Sequence, residues 1–300
     1  MFELAGAILT YIQTHHEYLY SLLFWAVIIA VMLIEFWRPR RVLGHSIRKR
    51  WLSNFFIAFI NNFFGKWMQT VLAVATALYA ANNGIGLLNW LELPPFVVLV
   101  SSLLVLDLLR YCVHRLYHNV PLLWRLHRLH HTDMDVDFST QFRIHPLENF
   151  TTAFITIPVI VLVAPSVEGV IAHKLIFVVV AFFAHSNVRL PNWFEKYARY
   201  VVTTPDLHKV HHSTTIAESN ANFGALFTFW DRMFGTYVDK PALGVAKMEY
   251  GVKEMADDKH LRLDFMLLNP FLADDDGNQV VVKRPIDIDQ SGLVKENQLD

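Results

Sequence analysis

Cysteine and charge are both scarce in this chain of 300 residues. Its single cysteine, Cys112, excludes an internal disulfide, a cysteine-rich zinc module and an iron–sulfur cluster held by cysteines of this chain alone. Charged residues make up 18% of the sequence, whereas an average soluble protein has about 25%. A formal net charge of −1 leaves no basic surface large enough to bind nucleic acid. We therefore expect no nucleic-acid partner, and any redox cofactor must use ligands other than cysteine.

Apolar residues are abundant instead, at 54% of the chain, and they fall in long runs. The runs 18–34, 55–81 and 96–113 are near or above the length of a transmembrane helix, which needs about 20 apolar residues. Two further runs, 154–164 and 175–184, give about 15 to 17 helical residues each, which is short for crossing about 30 Å of hydrocarbon. The sequence predicts three transmembrane helices followed by a tilted or re-entrant helical hairpin.

The distribution of Lys and Arg predicts which side of the membrane each loop faces. Six cations lie between residues 38 and 50, and residues 82–95 contain none. The positive-inside rule then places residues 38–50, and the segment after the third run, in the cytoplasm. No basic region precedes the first run, so we expect no cleaved signal peptide. The chain is short and lacks fused electron-transfer modules, which favours a bacterial inner membrane over the endoplasmic reticulum.

Histidine is the most unusual component, with 15 residues in the chain. Eight of them form three motifs: His114-x-x-x-His118, His127-x-x-His130-His131 and His208-x-x-His211-His212. On a helix, positions i, i+3 and i+4 share one face, so each motif predicts imidazoles that point in one direction. Pro121 fits the first turn of a helix before the second motif. Thr204 and Pro205 fit an N-cap and a first turn before the third.

These motifs predict a metal site at the cytoplasmic end of the third run. Crowded imidazoles at a membrane boundary are costly without a metal. A zinc site uses about three or four protein ligands, so eight imidazoles favour two metals with open positions, and imidazole-ligated iron can activate O₂.

Two alternatives belong to other functional classes. A membrane zinc hydrolase would need a general-base carboxylate beside the ligands, where this chain has Arg128 and Lys209. A metal transporter or sensor is the other alternative, but transport favours ligands at mid-membrane.

Further motifs surround the histidines between residues 107 and 237. Asp107 lies seven residues before His114, and Leu123-Trp124 precedes His127. The others are Arg143-x-His145-Pro146-Leu147-Glu148, His185-Ser186-Asn187, Asn222-Phe223-Gly224 and Trp230-Asp231-x-x-Phe234-Gly235-Thr236. In this combination the chain resembles the fatty acid hydroxylase/sterol desaturase superfamily of integral-membrane di-iron enzymes.

The resemblance implies two iron ions, with a ninth ligand added to the three motifs: His114, His118, His127, His130, His131, His185, His208, His211 and His212. Fatty-acid hydroxylases of the family have a second histidine where this chain has Arg189, which favours the sterol desaturase-like branch. The implied activity is O₂-dependent hydroxylation or desaturation of an unactivated C–H bond in a sterol, fatty acyl or related lipid. Electrons would come from a separate donor of the cytochrome b5, ferredoxin or flavoprotein type.

Three polar residues are candidates for a supporting role. Asp107 is expected to share a helix face with His114 and either to orient its ring or to pair with Arg110. His145 could line the site or hold a turn, and Asn187 could bind through water or cap a helix. We expect the histidines without partners at ligand spacing to be surface residues: His15, His16, His45, His173 and His260.

Together these patterns predict an all-α fold. A polytopic membrane bundle would carry a cytoplasmic, helical, histidine-rich cap that binds metal. Residues 1–95 would form an N-terminal transmembrane anchor and residues 96–239 the catalytic domain, including the hairpin. Residues 240–300 would form a polar cytosolic tail with little core of its own.

Overall fold

A computed structural model describes residues 2–64, 66–245 and 247–272 of the chain. In these ranges the chain is helical and contains no β-strand beyond three isolated bridges. The helices are α1 (Phe2–Trp37), α2 (Ile47–Phe64), α3 (Lys66–Asn82), α4 (Leu87–Trp90), α5 (Pro95–Asn119), α6 (Pro121–His131), α7 (Pro146–Val163), α8 (Val167–His185), α9 (Asn192–Ala198), α10 (Pro205–His211), α11 (Ile216–Ser219), α12 (Phe229–Met233) and α13 (Leu263–Leu268). Four 3₁₀ turns, at Phe138–Phe142, Lys253–Met255, Asp258–Leu261 and Asn269–Phe271, connect them.

Four helical segments of the described chain are long and apolar enough to cross a membrane: Gln69–Trp90, α5, α7 and α8. The chain is therefore a multi-pass membrane protein, and the predicted all-α bundle is confirmed. The hairpin is longer than its sequence suggests, because α7 and α8 have 18 and 19 residues, or about 27 to 29 Å at 1.5 Å per residue. The expectation that both helices are too short to cross is wrong, since the polar residues that flank the apolar runs continue the helices.

The second predicted span differs from the structure. The run 18–34 lies within the continuous helix α1, as predicted. The run 55–81 is divided between α2 and α3. Helix α2 carries the fully buried Arg50 and Asn54, which face the polypeptide between α6 and α7.

The α7–α8 hairpin places the C-terminal ends of α5 and α8 side by side. Helix α7 ends at Ala164 in a left-handed conformation (φ 54°), and the Ser166 side chain caps α8 by accepting from Gly169 N–H at 3.0 Å. A Cβ atom at Gly169 would collide with Ser102 of α5, so glycine permits the close approach of these two helices. As a result, His185 at the end of α8 lies next to the last turns of α5.

A buried ion-pair network fixes the polypeptide between α6 and α7. Arg50 donates from Nε to Asp133 at 2.6 Å and from Nη1 to Asp137 at 2.8 Å, and all three side chains are almost completely buried. Arg143 donates to the side chains of Asn54 and Thr132 nearby. The network joins α2 to the chain that follows the second histidine motif.

The C-terminal segment up to residue 272 packs against the histidine-bearing part of the chain. Met266 is fully buried against Ile57 and Leu129, and Arg128 at the end of α6 donates to Asn269 Oδ1 at 3.0 Å. Residues 247–272 are therefore docked on α2 and α6, which the prediction of a polar tail did not include. The sequence does not predict this packing, because the aliphatic residues that make the contacts are widely spaced within a polar segment. The acidic run at residues 274–276 lies outside the described residues.

Candidate metal centre

The structure brings the nine predicted ligands together in two adjacent clusters. The five-histidine cluster contains His114, His118, His127, His131 and His211, and the four-histidine cluster contains His130, His185, His208 and His212. Within each cluster, one potential ligand nitrogen from every residue lies within 4.8 Å of the others. The clusters touch, because the rings of His131 and His212 stack with centroids 4.6 Å apart.

The second and third histidine motifs are shared between the two clusters. Residues at i and i+4 stay together, as in His127 with His131 and His208 with His212, whereas the i+3 members His130 and His211 join the other cluster. The expectation that each triplet points in a single direction is wrong. Positions i+3 and i+4 lie on opposite sides of the helix stripe, so one helix can serve two neighbouring centres.

Local sequence signals position the helices that carry these motifs. Helix α6 begins at Pro121 and α10 at Pro205, each in the first turn as predicted. The Thr204 side chain caps α10 by accepting from Leu207 N–H at 3.4 Å. In the first turn of a helix the backbone N–H groups have no partner within the helix, so a proline, which has no N–H, costs nothing there.

Hydrogen bonds on the outer nitrogens fix the orientation of several rings. The Nδ1 atoms of His114, His185 and His211 lie 3.0, 2.8 and 2.7 Å from the carbonyl oxygens of Phe223, Ala181 and Ala221. Because a carbonyl only accepts, each Nδ1 carries the proton. The Nε2 atom of each ring is then left with a lone pair directed into a cluster, as is usual for metal-binding histidine.

The inner nitrogens are arranged as a metal ion requires. Nε2 of His185 lies 2.9 Å from Nε2 of both His130 and His208, and a single lone pair cannot accept well from two donors. A metal–imidazole bond of about 2.0–2.1 Å would place neighbouring ligand nitrogens about 3.0 Å apart at 90°. Nε2 has no hydrogen-bond partner in four residues of the other cluster, His114, His127, His131 and His211. The donor set therefore fits metal ions in both clusters.

Burial also keeps these imidazoles in the form that binds metal. It lowers the pKa of His130, His131, His208 and His212 well below the ordinary value of a histidine, and neighbouring histidines add to the effect. The pKa of His211 falls to about 3 for the same principal reason. These rings are neutral at physiological pH, so a metal does not have to displace a proton from them.

Glu148 was not identified as a site residue from the sequence. Its Oε1 accepts from Nδ1 of His127 at 2.9 Å, and both side chains are buried. A carboxylate in this position holds the ring and makes the imidazole a stronger ligand. The only sequence signal for it is its place in the motif that begins at Arg143.

Asp107 does not orient His114. Its oxygens accept from the backbone N–H groups of Leu226 and Phe227 at 3.1 and 3.2 Å and from the indole N–H of Trp230 at 2.9 Å. The predicted hydrogen bond to the histidine is therefore wrong, because the loop after α11 and the first turn of α12 together offer three donors to this carboxylate.

Asp231 holds the same loop from its other side. Its oxygens accept from Phe223 and Gly224 N–H, both at 2.8 Å. Gly224 is required there, because a Cβ atom would lie 2.5 Å from the Phe227 carbonyl oxygen. Asp231 thus positions Phe223, whose carbonyl holds His114.

The other two supporting candidates lie outside both clusters. His145 caps α7 by accepting from Leu147 N–H at 3.2 Å, and its Nε2 faces the Leu267 carbonyl at 3.1 Å. It therefore holds a turn, the second of its predicted roles. Asn187 pairs with Arg41, accepting from its N–H at 3.3 Å and donating to its carbonyl at 2.8 Å. Asn187 fastens the end of α8 to the chain after α1.

Two histidines expected at the surface are buried. His173 in α8 lies with its Nε2 3.9 Å from Asp107, and His260 packs against Phe265. His45 is partly exposed, with Nδ1 3.2 Å from Asp135. The side chains of His15 and His16 lie outside the described residues. Isolated histidines carry no spacing signal, so their burial depends on packing that the sequence does not show.

A cavity of about 250 Å³, here the histidine cavity, extends from the clusters into the helix bundle. Five of the nine histidines line it, together with apolar side chains of α5 and α8 such as Leu106, Val113 and Phe182. Polar side chains such as Arg110 and Lys174 also line this cavity.

Comparisons with known proteins agree with this geometry. The fatty acid hydroxylase family matches residues 99–236. Human alkylglycerol monooxygenase is 29% identical over 137 residues, which is 46% of this chain and 30% of the relative. The ornithine lipid hydroxylase of Rhizobium tropici is 30% identical over 143 residues, 47% of this chain and 42% of the relative.

A very-long-chain aldehyde decarbonylase of Oryza sativa subsp. indica is also related, at 28% identity over 177 residues, 56% of this chain and 64% of the relative. The chain spans 30 to 42% of the length of the monooxygenase and hydroxylase relatives named above. No solved structure matches it significantly. The matched region contains all nine histidines of the two clusters, so residues 99–236 are similar to the fatty acid hydroxylase family over the whole of the candidate metal centre.

Proposed function

We propose that this chain is a membrane-bound di-iron oxygenase that hydroxylates or desaturates an unactivated C–H bond of a lipid. The observation that carries the proposal is the pair of adjacent histidine clusters at the wall of a largely apolar cavity between membrane-spanning helices. Two relatives are named as lipid-oxidising enzymes, an alkylglycerol monooxygenase and an ornithine lipid hydroxylase.

Two iron ions would occupy the clusters, held by the nine histidines named above. Bound iron would supply the activation of O₂ that oxidation of a C–H bond requires. The protein's own part is positioning: hydrogen-bonded Nδ1 atoms and Glu148 orient the rings, and the cavity holds the lipid chain beside the clusters and excludes water. Asp107 and Asp231 do not contact the clustered histidines. They act indirectly, by fixing the loop whose Phe223 carbonyl contacts His114.

The wider assignments belong to the same proposal. Residues 96–239 would be the catalytic domain and residues 1–95 the anchor. The clusters would face the cytoplasm of a bacterial cell, where a soluble electron donor of the ferredoxin, flavoprotein or cytochrome b5 type could reach them. The absence of a cysteine-rich motif in this sequence supports the need for such a donor.

Lipid mass spectrometry tests the activity directly. Cells that express the chain should contain a lipid that has gained one oxygen atom or lost two hydrogen atoms, and this product should require O₂. His127→Ala should abolish the product, whereas His45→Ala, a histidine outside both clusters, should retain it. An unchanged lipid profile in cells that make folded, iron-loaded protein and an adequate electron donor would rule out the proposal.

A further inference from the structure

A second cavity, here the side cavity, adjoins the histidine cavity and has a volume of about 520 Å³. Five residues line both cavities, so the two spaces adjoin at these side chains: Thr70, Gln141, Ile144, Asn149 and Lys174. Their combined volume is in the range of sites that hold a drug-sized or larger ligand. A molecule long enough to pass these side chains would occupy both cavities.

The side cavity opens toward the outer surface of the protein between α1 and α2. Trp25 of α1 and Phe59 of α2 line it and are 56% and 68% exposed. Because exposed apolar side chains border this opening, a hydrocarbon chain can enter the cavity from that side. Lys174 lies eleven residues before His185 on α8, about 16 Å along the helix, so the two adjoining cavities extend well into the bundle.

The wall of the side cavity is mainly apolar but carries several polar side chains. Most of its polar groups are uncharged amides and hydroxyls: Ser21, Asn61, Asn62, Thr70, Gln141 and Asn149. Asn149 donates to Asn61 Oδ1 at 2.8 Å, and Gln69 donates to the Asn149 carbonyl at 2.6 Å. These bonds link α2, α3 and α7.

Gln141 differs from the linked amides. It is only 8% exposed, and its side-chain amide forms no hydrogen bond with any residue that the structure describes. It lies in the 3₁₀ turn between Phe138 and Phe142, where both cavities meet. Its amide atoms remain accessible at the cavity wall, so a polar group of a bound molecule would find a hydrogen-bond partner there.

We infer that the side cavity is the second half of the substrate site, where Gln141 hydrogen-bonds an uncharged polar group of an amphiphilic lipid. A hydroxyl, ester or amide of the lipid would meet Gln141, and its hydrocarbon chain would extend to the histidines. The inference rests on the proposed function for the identity of the reacting end. It names a substrate class, a lipid with a polar group at the junction of the two cavities, and it excludes plain hydrocarbons.

Photolabelling of the purified full chain tests the inference without turnover. A diazirine-bearing hexadecanol is cross-linked under anaerobic conditions, and the labelled peptides are mapped. Labels should fall on the side-cavity helices α1 and α2. Competition is then measured with hexadecanol, hexadecane and hexadecanoate in the wild type, in Gln141→Leu and in Asn83→Leu. Asn83→Leu removes an exposed amide outside both cavities and serves as the matched control.

Gln141→Leu should weaken competition by hexadecanol about three- to tenfold, the effect of one neutral hydrogen bond, and leave hexadecane unchanged. Asn83→Leu should change neither. If Gln141→Leu weakens competition by hexadecanol and by hexadecane equally, the inference is overturned. It is also overturned if hexadecanoate competes better than hexadecanol and this difference depends on Lys174 and not on Gln141. If Gln141→Leu does not fold, the wild type still decides, because hexadecanol must compete better than hexadecane for labels in the side cavity.

The labelling result is separate from the oxygenase activity. An enzyme that oxidises lipids but labels independently of Gln141 contradicts this inference alone. A chain that binds hexadecanol through Gln141 but oxidises no lipid contradicts the proposed function alone.

Discussion

Glu148 offers the sharpest test of how the five-histidine cluster is built. Its carboxylate accepts from Nδ1 of His127 at 2.9 Å in a buried environment. A hydrogen bond to a charged group contributes about 1.5–3 kcal/mol, which corresponds to about 10- to 150-fold in a binding constant. Loss of a carboxylate that supports a metal-binding histidine typically costs about 10- to 100-fold in metal affinity. The two ranges agree.

Glu148→Gln removes the charge but keeps an acceptor oxygen, so it should lower the affinity of one metal by about tenfold. Glu148→Ala removes the acceptor as well and should lower it by up to about 100-fold. The assay is an anaerobic Fe²⁺ titration against a chelator of known affinity. The second metal, in the four-histidine cluster, should bind as in the wild type.

Glu168→Gln is the matched control, because Glu168 lies in the first turn of α8 and outside both clusters. It should leave both affinities unchanged. If Glu148→Gln and Glu148→Ala both bind two metals with wild-type affinity, Glu148 does not support His127. The proposed role of Glu148 in orienting His127 would then be refuted.

Three further perturbations test other parts of the account. Burial raises the pKa of Asp231 to about 7 from about 3.9 in an unfolded chain, so its stabilisation is complete below about pH 4 and is lost as pH rises through 7. Asp231→Asn should therefore weaken the fall in Tm between these pH values, and an unchanged slope would contradict the assignment. Arg50→Met should cost about 3–5 kcal/mol by leaving two buried carboxylates without a cation, read as a large drop in Tm against Arg48→Met. A reporter fused after Asp300 should lie in the cytoplasm, and an external reporter would refute the predicted orientation.

The histidine motifs show how far sequence reasoning reaches. Spacing of i, i+3 and i+4 identified eight of the nine clustered residues, and the resemblance supplied His185. Spacing could not divide them between two clusters, because the division depends on how α5, α6 and α10 cross. In the folded protein, the i+3 members His130 and His211 each join the cluster opposite to that of the i and i+4 residues of their own motif.

Residues that support the site were harder to predict. Asp107 and His114 share a helix face, yet the carboxylate binds the loop at residues 226–230, more than 100 residues away in sequence. Glu148 reaches His127 from another helix. A single sequence shows which side chains share a face of one helix. It does not show which residue from a distant part of the chain will contact a given side chain in the folded protein.

Membrane spans followed the apolar pattern except where polar residues lie inside helices. The runs 154–164 and 175–184 were judged too short by their length, although α7 and α8 also include polar residues before these runs, such as Glu148 and Lys174. Arg50 and Asn54 turn α2 toward the buried ion-pair network. In each case a tertiary contact pairs a polar side chain inside the helix, whereas hydropathy alone treats that side chain as evidence against a membrane-spanning helix.

Iron analysis with Mössbauer spectroscopy on the purified full chain tests the central claim most directly. The account predicts two iron ions per chain in the wild type, one retained in His208→Ala and one retained in His131→Ala, since each variant damages a different cluster. Active protein that contains zinc alone, or wild-type protein that binds a single iron however it is loaded, would contradict the account.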